Sequence, residues 1–485
     1  MHRSDLDRDP VTAIGRRRFL AGSGAVAGSL VLLGLTGCSS DDSSSDGAAT
    51  STPASTATTE LSEADGLVEA FYAGVPLVVT MRTMQTFAGL VGVNRLFPTK
   101  ALSNADSTFV VAPNHDTLYV IAVLDVAFAP QLLTLPDIDD RYHVIQILDA
   151  WMGGLALLGT RETGGRAGRW AIALDGADVD VPDGVTRIDS PTSHVFVLGR
   201  IRATEDPDDV AAAADVARSI TMLPLTEPDP SYRGPGATLG EPFGAPQEVG
   251  TNGAAFFDEV GSLLGTDGPV TPAQTAAFAA AGGLVGAGRY PTTERPDRVP
   301  ELEKAVDEGL AGLAEGFAGS IDLVNGWAVN LDLGQADDRM SLRDQAVIAR
   351  YFWGPVPAEE AVYPRAVEAS DGKALDGSKT YRIRFDGDDL PPVDAFWSLT
   401  VYGEDLYFAP NEIDRYSLSG DTPGLVAGDD GSIEVVLAHD RPEGGDANWL
   451  PTPDGPFTLI MRLYLPQQPI LDGTWDYPSI ELVDR

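Results

Sequence analysis

The chain has 485 residues and carries 72 Asp and Glu against 33 Lys and Arg, which gives a formal net charge of −39 at pH 7. A surface this acidic argues against nucleic acid as a partner, because phosphates are bound by basic side chains. The single cysteine excludes an internal disulfide. Hydrophobic residues at 43% of so long a chain predict two or three domains with sizeable cores.

The first 38 residues predict an export signal with a lipid attachment site. Arg16 and Arg17 precede a short apolar run over residues 25–35, and small residues resembling a bacterial lipobox lead into Cys38. Twin arginines before an apolar run too short to span a bilayer are typical of twin-arginine export signals. We therefore expect lipidation of Cys38 and a lipid anchor in the outer face of the cytoplasmic membrane, at the cell envelope. An ordinary N-terminal anchor helix is the alternative.

Residues 39–60 consist almost wholly of Ser, Thr, Asp, Ala, Gly and Pro, a composition that predicts a disordered tether. An N-terminal β-rich domain is expected over residues 61–226, with a helix from Leu61 toward Met84 and helical periodicity again at 206–224. Short apolar runs between Pro, Gly and Asp predict its strands, at Phe109–Ala112, Leu118–Leu124, His143–Leu148, Leu155–Leu158, Trp170–Ala173 and Val195–Arg202.

A long connection and a helical region are expected over residues 227–370, with Trp327 packed among its helices, and apolar spacing predicts helices at Glu303–Phe317 and Leu342–Tyr351. A C-terminal β-sandwich-like domain follows over 371–485, with strands at Tyr381–Phe385, Ala395–Tyr402, Ile433–Ala438 and Phe457–Tyr464. The fold class is therefore mixed, mainly β with α, and consists of two β-sandwich-like domains joined by a helical segment.

Dense polar and aromatic clusters lie in both β-rich regions. One runs from Asn114 to Tyr119, and another covers residues 391–402 and continues to Tyr464. In order and spacing they resemble the bacterial family that pairs the domains of unknown function DUF1254, over about residues 80–202, and DUF1214, over about 375–470. The resemblance implies two β-rich domains with helices between them and no settled reaction. It makes Asn114, Asp116, Thr117 and Tyr119 signature positions, whereas the position of His115 is variable in the family.

Two carboxylates and a tyrosine are the candidate catalytic residues. Asp116 is the expected acid or base, Tyr119 would assist it, and Asp149 would complete a carboxylate pair. The alternative for Asp116 is a turn residue whose side chain binds its own backbone. Candidate substrate-binding residues are arginines that would clamp an anion, an asparagine, and aromatics with flat faces: Asn114, Arg141, Arg161, Trp397, Tyr402, Trp449, Arg462 and Tyr464.

Structural roles remain open for these side chains, because a buried guanidinium must be paired. His143 and His194 lie in apolar strands and are interpreted as core residues. No spaced ligand motif indicates a metal, and no cofactor is identified. Two hypotheses follow: an enzyme acting on a carbohydrate or small polar substrate in a cleft between the β domains, or a non-catalytic lipoprotein that binds a glycan, a small ligand or a partner chain.

Overall fold

The structure is a computed structural model that describes residues 62–107, 112–226, 239–240, 242, 244–334 and 340–483. The predicted export signal, the lipidation site Cys38 and the tether lie outside the described residues, as does most of the predicted strand Phe109–Ala112.

The first element is a long helix, α1, over Glu63–Val91. The Ser62 hydroxyl accepts the N–H of Asp65 and caps its first turn, which also carries Glu63. Helix α1 extends beyond the predicted end at Met84 and stops at Gly92, whose φ of 85° suits glycine. Its length and apolar composition would suffice to cross a membrane, but most of it is buried within the fold, as a core helix is.

An amino-terminal β unit follows. Its elements are β1 Phe97–Pro98, β2 Thr117–Asp125, β3 Gln131–Leu135, β4 His143–Asp149, β5 Gly154–Gly159, β6 Gly168–Leu174, β7 Thr186–Ser190, β8 His194–Arg202, α2 Pro207–Ser219 and β9 Thr221–Pro224. A five-stranded sheet of order β1-β2-β8-β4-β5 faces a four-stranded sheet of order β7-β6-β3-β9. Alternate residues of the two sheets, such as Val120 and Leu133, form the core between them. The helix predicted to reach residue 224 ends at Ser219, because β9 pairs with β3.

The middle of the chain supplies a helical layer and four short strands. These elements are α3 Ala255–Leu263, α4 Pro272–Ala280, α5 Pro291–Glu294, α6 Val299–Gly319, β10 Asp322–Val324, β11 Trp327–Val329, α7 Leu342–Phe352, β12 Ala361–Val362 and β13 Arg365–Ala366, with 3-10 turns at Pro246–Glu248 and Pro296–Arg298. Helices α3, α4, α6 and α7 pack around α1 on the outer face of the five-stranded sheet. A buried two-bond ion pair joins α1 to α3, with Arg82 donating to Glu259 at 2.8 and 2.6 Å.

The carboxy-terminal β unit completes the fold. Its elements are β14 Tyr381–Phe385, β15 Val393–Gly403, β16 Ser417–Ser419, β17 Ile433–Ala438, β18 Trp449–Pro451, β19 Phe457–Pro466, α8 Gln468–Leu471 and β20 Ile480–Leu482. A seven-stranded sheet has the order β10-β11-β13-β19-β15-β16, with β12 also on β19, and faces a four-stranded sheet of order β18-β17-β14-β20.

This arrangement confirms a mixed, mainly β fold with two β-rich units and a helical region. It corrects one expectation, because Trp327 does not pack among the helices. Trp327 lies on β11 in the core of the carboxy-terminal unit, and its ring N–H donates to the carbonyl of Pro478 at 2.8 Å. The strands at 322–329 and 361–366 thus extend the carboxy-terminal sheet into the region expected to be helical.

Candidate functional site

A cavity of about 370 Å³ lies where the two larger sheets meet the helical layer. On β8, Phe196, Leu198 and Arg200 line this cavity, whereas Val195 and Val197 point into the sandwich core. The alternation follows from the two-residue period of a strand. Across the β2–β8 ladder, Tyr119 pairs with Arg200 and Ile121 pairs with Leu198, and all four residues line the cavity.

The carboxy-terminal sheet supplies the opposite wall in the same way. Along β19, Ile460, Arg462 and Tyr464 line the cavity, and the residues between them pack in the core of their own unit. Tyr363, which follows β12, and Arg365, the first residue of β13, extend this wall. Both β units therefore build one site.

The helical layer closes the cavity with apolar side chains. They come from α1, from the end of α7 and from the segment after α7: Val79, Phe87, Phe352, Trp353 and Pro355. Phe317 and Tyr351 stack at 4.4 Å at its edge, and Tyr351 is 37% exposed, which places this edge of the cavity near the protein surface. Apart from a few polar groups the walls are apolar, as in most small-molecule sites.

The polar groups concentrate on the two sheet walls. The Arg462 guanidinium donates to the hydroxyls of Thr400 and Tyr402, at 2.6 and 2.5 Å. Arg200 donates to the side-chain oxygen of Gln146 at 3.3 Å, and no carboxylate lies within ion-pair distance of it among the described residues. A guanidinium stays charged in proteins, so the walls are electropositive.

Neutral donors surround these arginines. Asn114 donates its amide N–H to the hydroxyl oxygen of Tyr464 at 2.6 Å and its backbone N–H to that of Tyr119 at 2.9 Å. Burial raises the pKa of both tyrosines, so both stay protonated at neutral pH. The Tyr363 hydroxyl is buried and has no hydrogen-bond partner in the part of the chain that the structure describes.

Asp116 lies outside the cavity, at the contact between the two β units. Its carboxylate accepts the hydroxyls of Ser398 at 2.5 Å and Ser417 at 2.6 Å, and Arg202 lies 3.8 Å away. Its backbone N–H donates to the side-chain oxygen of Asn114 at 2.6 Å. Asp116 therefore joins the segment before β2 to β15 and β16, and its bond to Asn114 holds that residue at the cavity wall.

Asp149 also lies away from the cavity, as the last residue of β4. Burial raises the pKa of Asp149 to about 6, against the lowering effect of the N–H groups of Gly153 and Trp151, and the nearby Asp267 carboxylate raises it further. The two N–H groups reach Oδ1 at 2.7 and 2.8 Å. Burial would lower the pKa of His194, but its hydrogen bond and charge interaction with Asp267 raise it.

The remaining candidates fall into two groups. Tyr119, Asn114, Arg462 and Tyr464 line the cavity together. The others do not: Tyr402 supports Arg462 from behind, Arg141 pairs with Asp140 and Asp209, Arg161 pairs with Glu162 and Glu360, and Trp397 and Trp449 are buried in the carboxy-terminal unit.

Sequence reasoning missed Arg200, Tyr363 and Arg365. A signal existed for Arg200, because it alternates with the apolar residues Val195, Val197 and Ile201 in one strand and so faces away from the sandwich core that they form. The dipeptide strands around Tyr363 give no such pattern. No cluster of three or more His, Cys, Asp or Glu that could hold a metal is found within the residues described.

The family-model matches and one solved structure agree with the two-unit architecture. Residues 93–224 match the model of DUF1254 and residues 360–468 that of DUF1214, both described as proteins of unknown function. The crystal structure of the VPA0106 protein from Vibrio parahaemolyticus is similar with a TM-score of 0.64 and 23% identity, over 87% of this chain and 100% of that one. An uncharacterised protein from Burkholderia cenocepacia gives a TM-score of 0.42 and 14% identity, over 87% and 96%. No curated protein shows a significant match.

Proposed function

We propose, from the premise that this chain belongs to the family combining the domains DUF1254 and DUF1214, that it is an exported, lipid-anchored protein that binds a small organic ligand. The ligand would occupy the cavity that both domains build. Binding of a small ligand is favoured over carbohydrate chemistry because the walls are largely apolar, whereas a sugar would need polar partners around its whole ring.

The observation that carries this proposal is the cavity itself. Its volume of about 370 Å³ is more than twice the ~150 Å³ that accommodates benzene. It lies at the junction of two β units and a helical layer, and ligand sites occur preferentially at such junctions. Four residues that the sequence analysis picked as site candidates line it, and they come from both domains.

Binding is favoured over acid–base catalysis by the chemistry of the walls. The residues described around the cavity include no Asp, Glu or His, the groups that most often transfer protons in enzymes. Both oxygens of Asp116 accept serine hydroxyls at the domain contact, which gives that carboxylate a positioning role.

A ligand screen tests the binding proposal. In calorimetric titrations of the purified protein, small acids or alcohols with apolar bodies should bind and sugars should not. Leu198→Trp, which fills the cavity from β8, should abolish this binding. The matched control Leu390→Trp lies at an exposed position away from the cavity and should bind normally. Equal binding by Leu198→Trp and wild type, or binding of sugars alone, would contradict the proposal.

The envelope location rests on residues 1–38 and has its own test. In bacterial cells the wild type should pellet with membranes and incorporate labelled lipid, whereas Cys38→Ser should be unlabelled and Arg16→Lys/Arg17→Lys should remain in the cytoplasm. Unchanged labelling in Cys38→Ser would exclude the lipid anchor proposed here.

A further inference from the structure

The cavity has an unbalanced charge. Four arginines line it, Arg200, Arg350, Arg365 and Arg462, and no acidic residue is found among its described lining. Moving a charged group out of water into an apolar surrounding is costly unless an opposite charge accompanies it. The walls therefore present positive charge for which the described lining supplies no counter-charge.

Three of the four, Arg200, Arg350 and Arg365, donate only to neutral acceptors among the described residues. Arg200 donates to the neutral Gln146 amide, Arg350 to the carbonyl of Val249 at 2.7 Å and Arg365 to the Thr458 hydroxyl at 3.2 Å. None of the three has an ion-pair partner in the portion of the chain described by the structure. Arg462 differs, because the charge of Asp116 lies near enough to stabilise its cationic form.

Arg200 and Arg462 both influence the same group of tyrosine hydroxyls in the cavity. Both lower the pKa of the same three hydroxyls, those of Tyr119, Tyr363 and Tyr464, against the larger raising effect of burial. The five side chains therefore form one polar cluster on the facing sheet walls. The Tyr464 hydroxyl accepts from Asn114 and so keeps its own proton to donate. The buried Tyr363 hydroxyl has a proton and no partner within the described ranges.

We propose that the ligand of this cavity is an organic anion with an apolar body. Its anionic group lies between Arg200 and Arg462, where the Tyr363 and Tyr464 hydroxyls donate to it, and its body lies against α1 and the end of α7. Guanidinium groups suit a carboxylate because they donate several N–H bonds in one plane. This inference rests on the proposed function and adds the charge class of the ligand.

Matched probes of different charge test the inference. We would titrate the purified protein with octanoate, octan-1-ol and octylammonium, and with 4-phenylbutyrate and its alcohol. The acids should bind about tenfold to a hundredfold more tightly than their alcohols, since they gain charge-assisted hydrogen bonds. Octylammonium should not bind.

Variants locate the charged end. Arg200→Gln should remove most of the preference for acids over alcohols, and Tyr363→Phe should reduce it several-fold while deleting only one unpartnered hydroxyl. The matched control Arg218→Gln, on an exposed helix face, should leave it intact. If Arg200→Gln fails to fold, the preference of Tyr363→Phe for acids over alcohols tests the inference instead.

The outcomes separate the two proposals. Alcohols that bind as tightly as acids, or an unchanged preference in both cavity variants, would overturn the anion inference while the cavity remains a binding site. If no acid and no alcohol binds, the proposed function and this inference are both overturned.

Discussion

The buried carboxyl of Asp149 should stabilise the protein in mild acid and lose that contribution at neutral pH. Burial raises its folded-state pKa to about 6, whereas the unfolded chain has an ordinary value near ~3.9. Between these values the native state holds a proton that the unfolded state has lost. The resulting stabilisation is complete below pH ~4 and disappears as the pH rises through about 6.

The size of the effect follows from the difference in pKa. About two pKa units correspond to about 3 kcal/mol, of which about 2 kcal/mol falls between pH 4.5 and pH 7.5. Asp149→Asn has no titratable group at this position, and its amide oxygen can still accept the N–H groups of Trp151 and Gly153. We therefore expect the stability of the variant relative to wild type to increase by about 2 kcal/mol from pH 4.5 to pH 7.5.

Urea unfolding followed by tryptophan fluorescence at both pH values measures this difference, with Trp151 two residues from the substitution. Asp137→Asn is the matched control, since Asp137 also accepts a backbone N–H, that of Ala167, but is exposed. Its stability relative to wild type should change little between the two pH values. A pH-independent difference for Asp149→Asn would contradict this prediction, because Asp149 would then ionise normally in the folded protein.

Three further substitutions test buried polar contacts of the fold. Asp116→Ala leaves two buried serine hydroxyls without their acceptor and should lower the free energy of unfolding by about 3 kcal/mol in urea, whereas a loss below about 1 kcal/mol would contradict its positioning role. Arg82→Met should cost about 3–5 kcal/mol by leaving Glu259 buried and unpaired, and the double variant with Glu259→Met should recover most of this loss in calorimetry. His194→Gln should destabilise more at pH 5.5 than at pH 8.5, because Asp267 raises the pKa of His194 and this stabilisation is lost as the pH rises through that value.

Regular strands were predictable because their pattern is local. Tyr381–Phe385 and Ile433–Ala438 form strands with the predicted bounds, since apolar residues alternate or run between clear turns. Trp327 was assigned to the wrong core because its strand has only three residues, too few to show a period. The contact of α1 with α3, in which Arg82 meets Glu259 177 residues later, depends on tertiary packing, which no local window contains.

Part of the candidate site was predictable for the same reason. Arg462 and Tyr464 alternate with core residues on β19, so their common face could be read from the sequence. Which arginines are neutralised could not be read, because Arg161 finds Glu360 from 199 residues away, while Arg200 finds no acid among the described residues. Spacing along the chain carries no information on such pairs.

One end of the proposed site holds an anion and the other an apolar body. A crystal structure of the protein soaked with 8-bromooctanoate distinguishes the two ends, since the anomalous signal of bromine locates one end of the probe. We predict the carboxylate within hydrogen-bond distance of Arg200 and Arg462, and the bromine against α1 and the end of α7. Bromine beside the two arginines, or a probe bound elsewhere on the protein, would contradict the account.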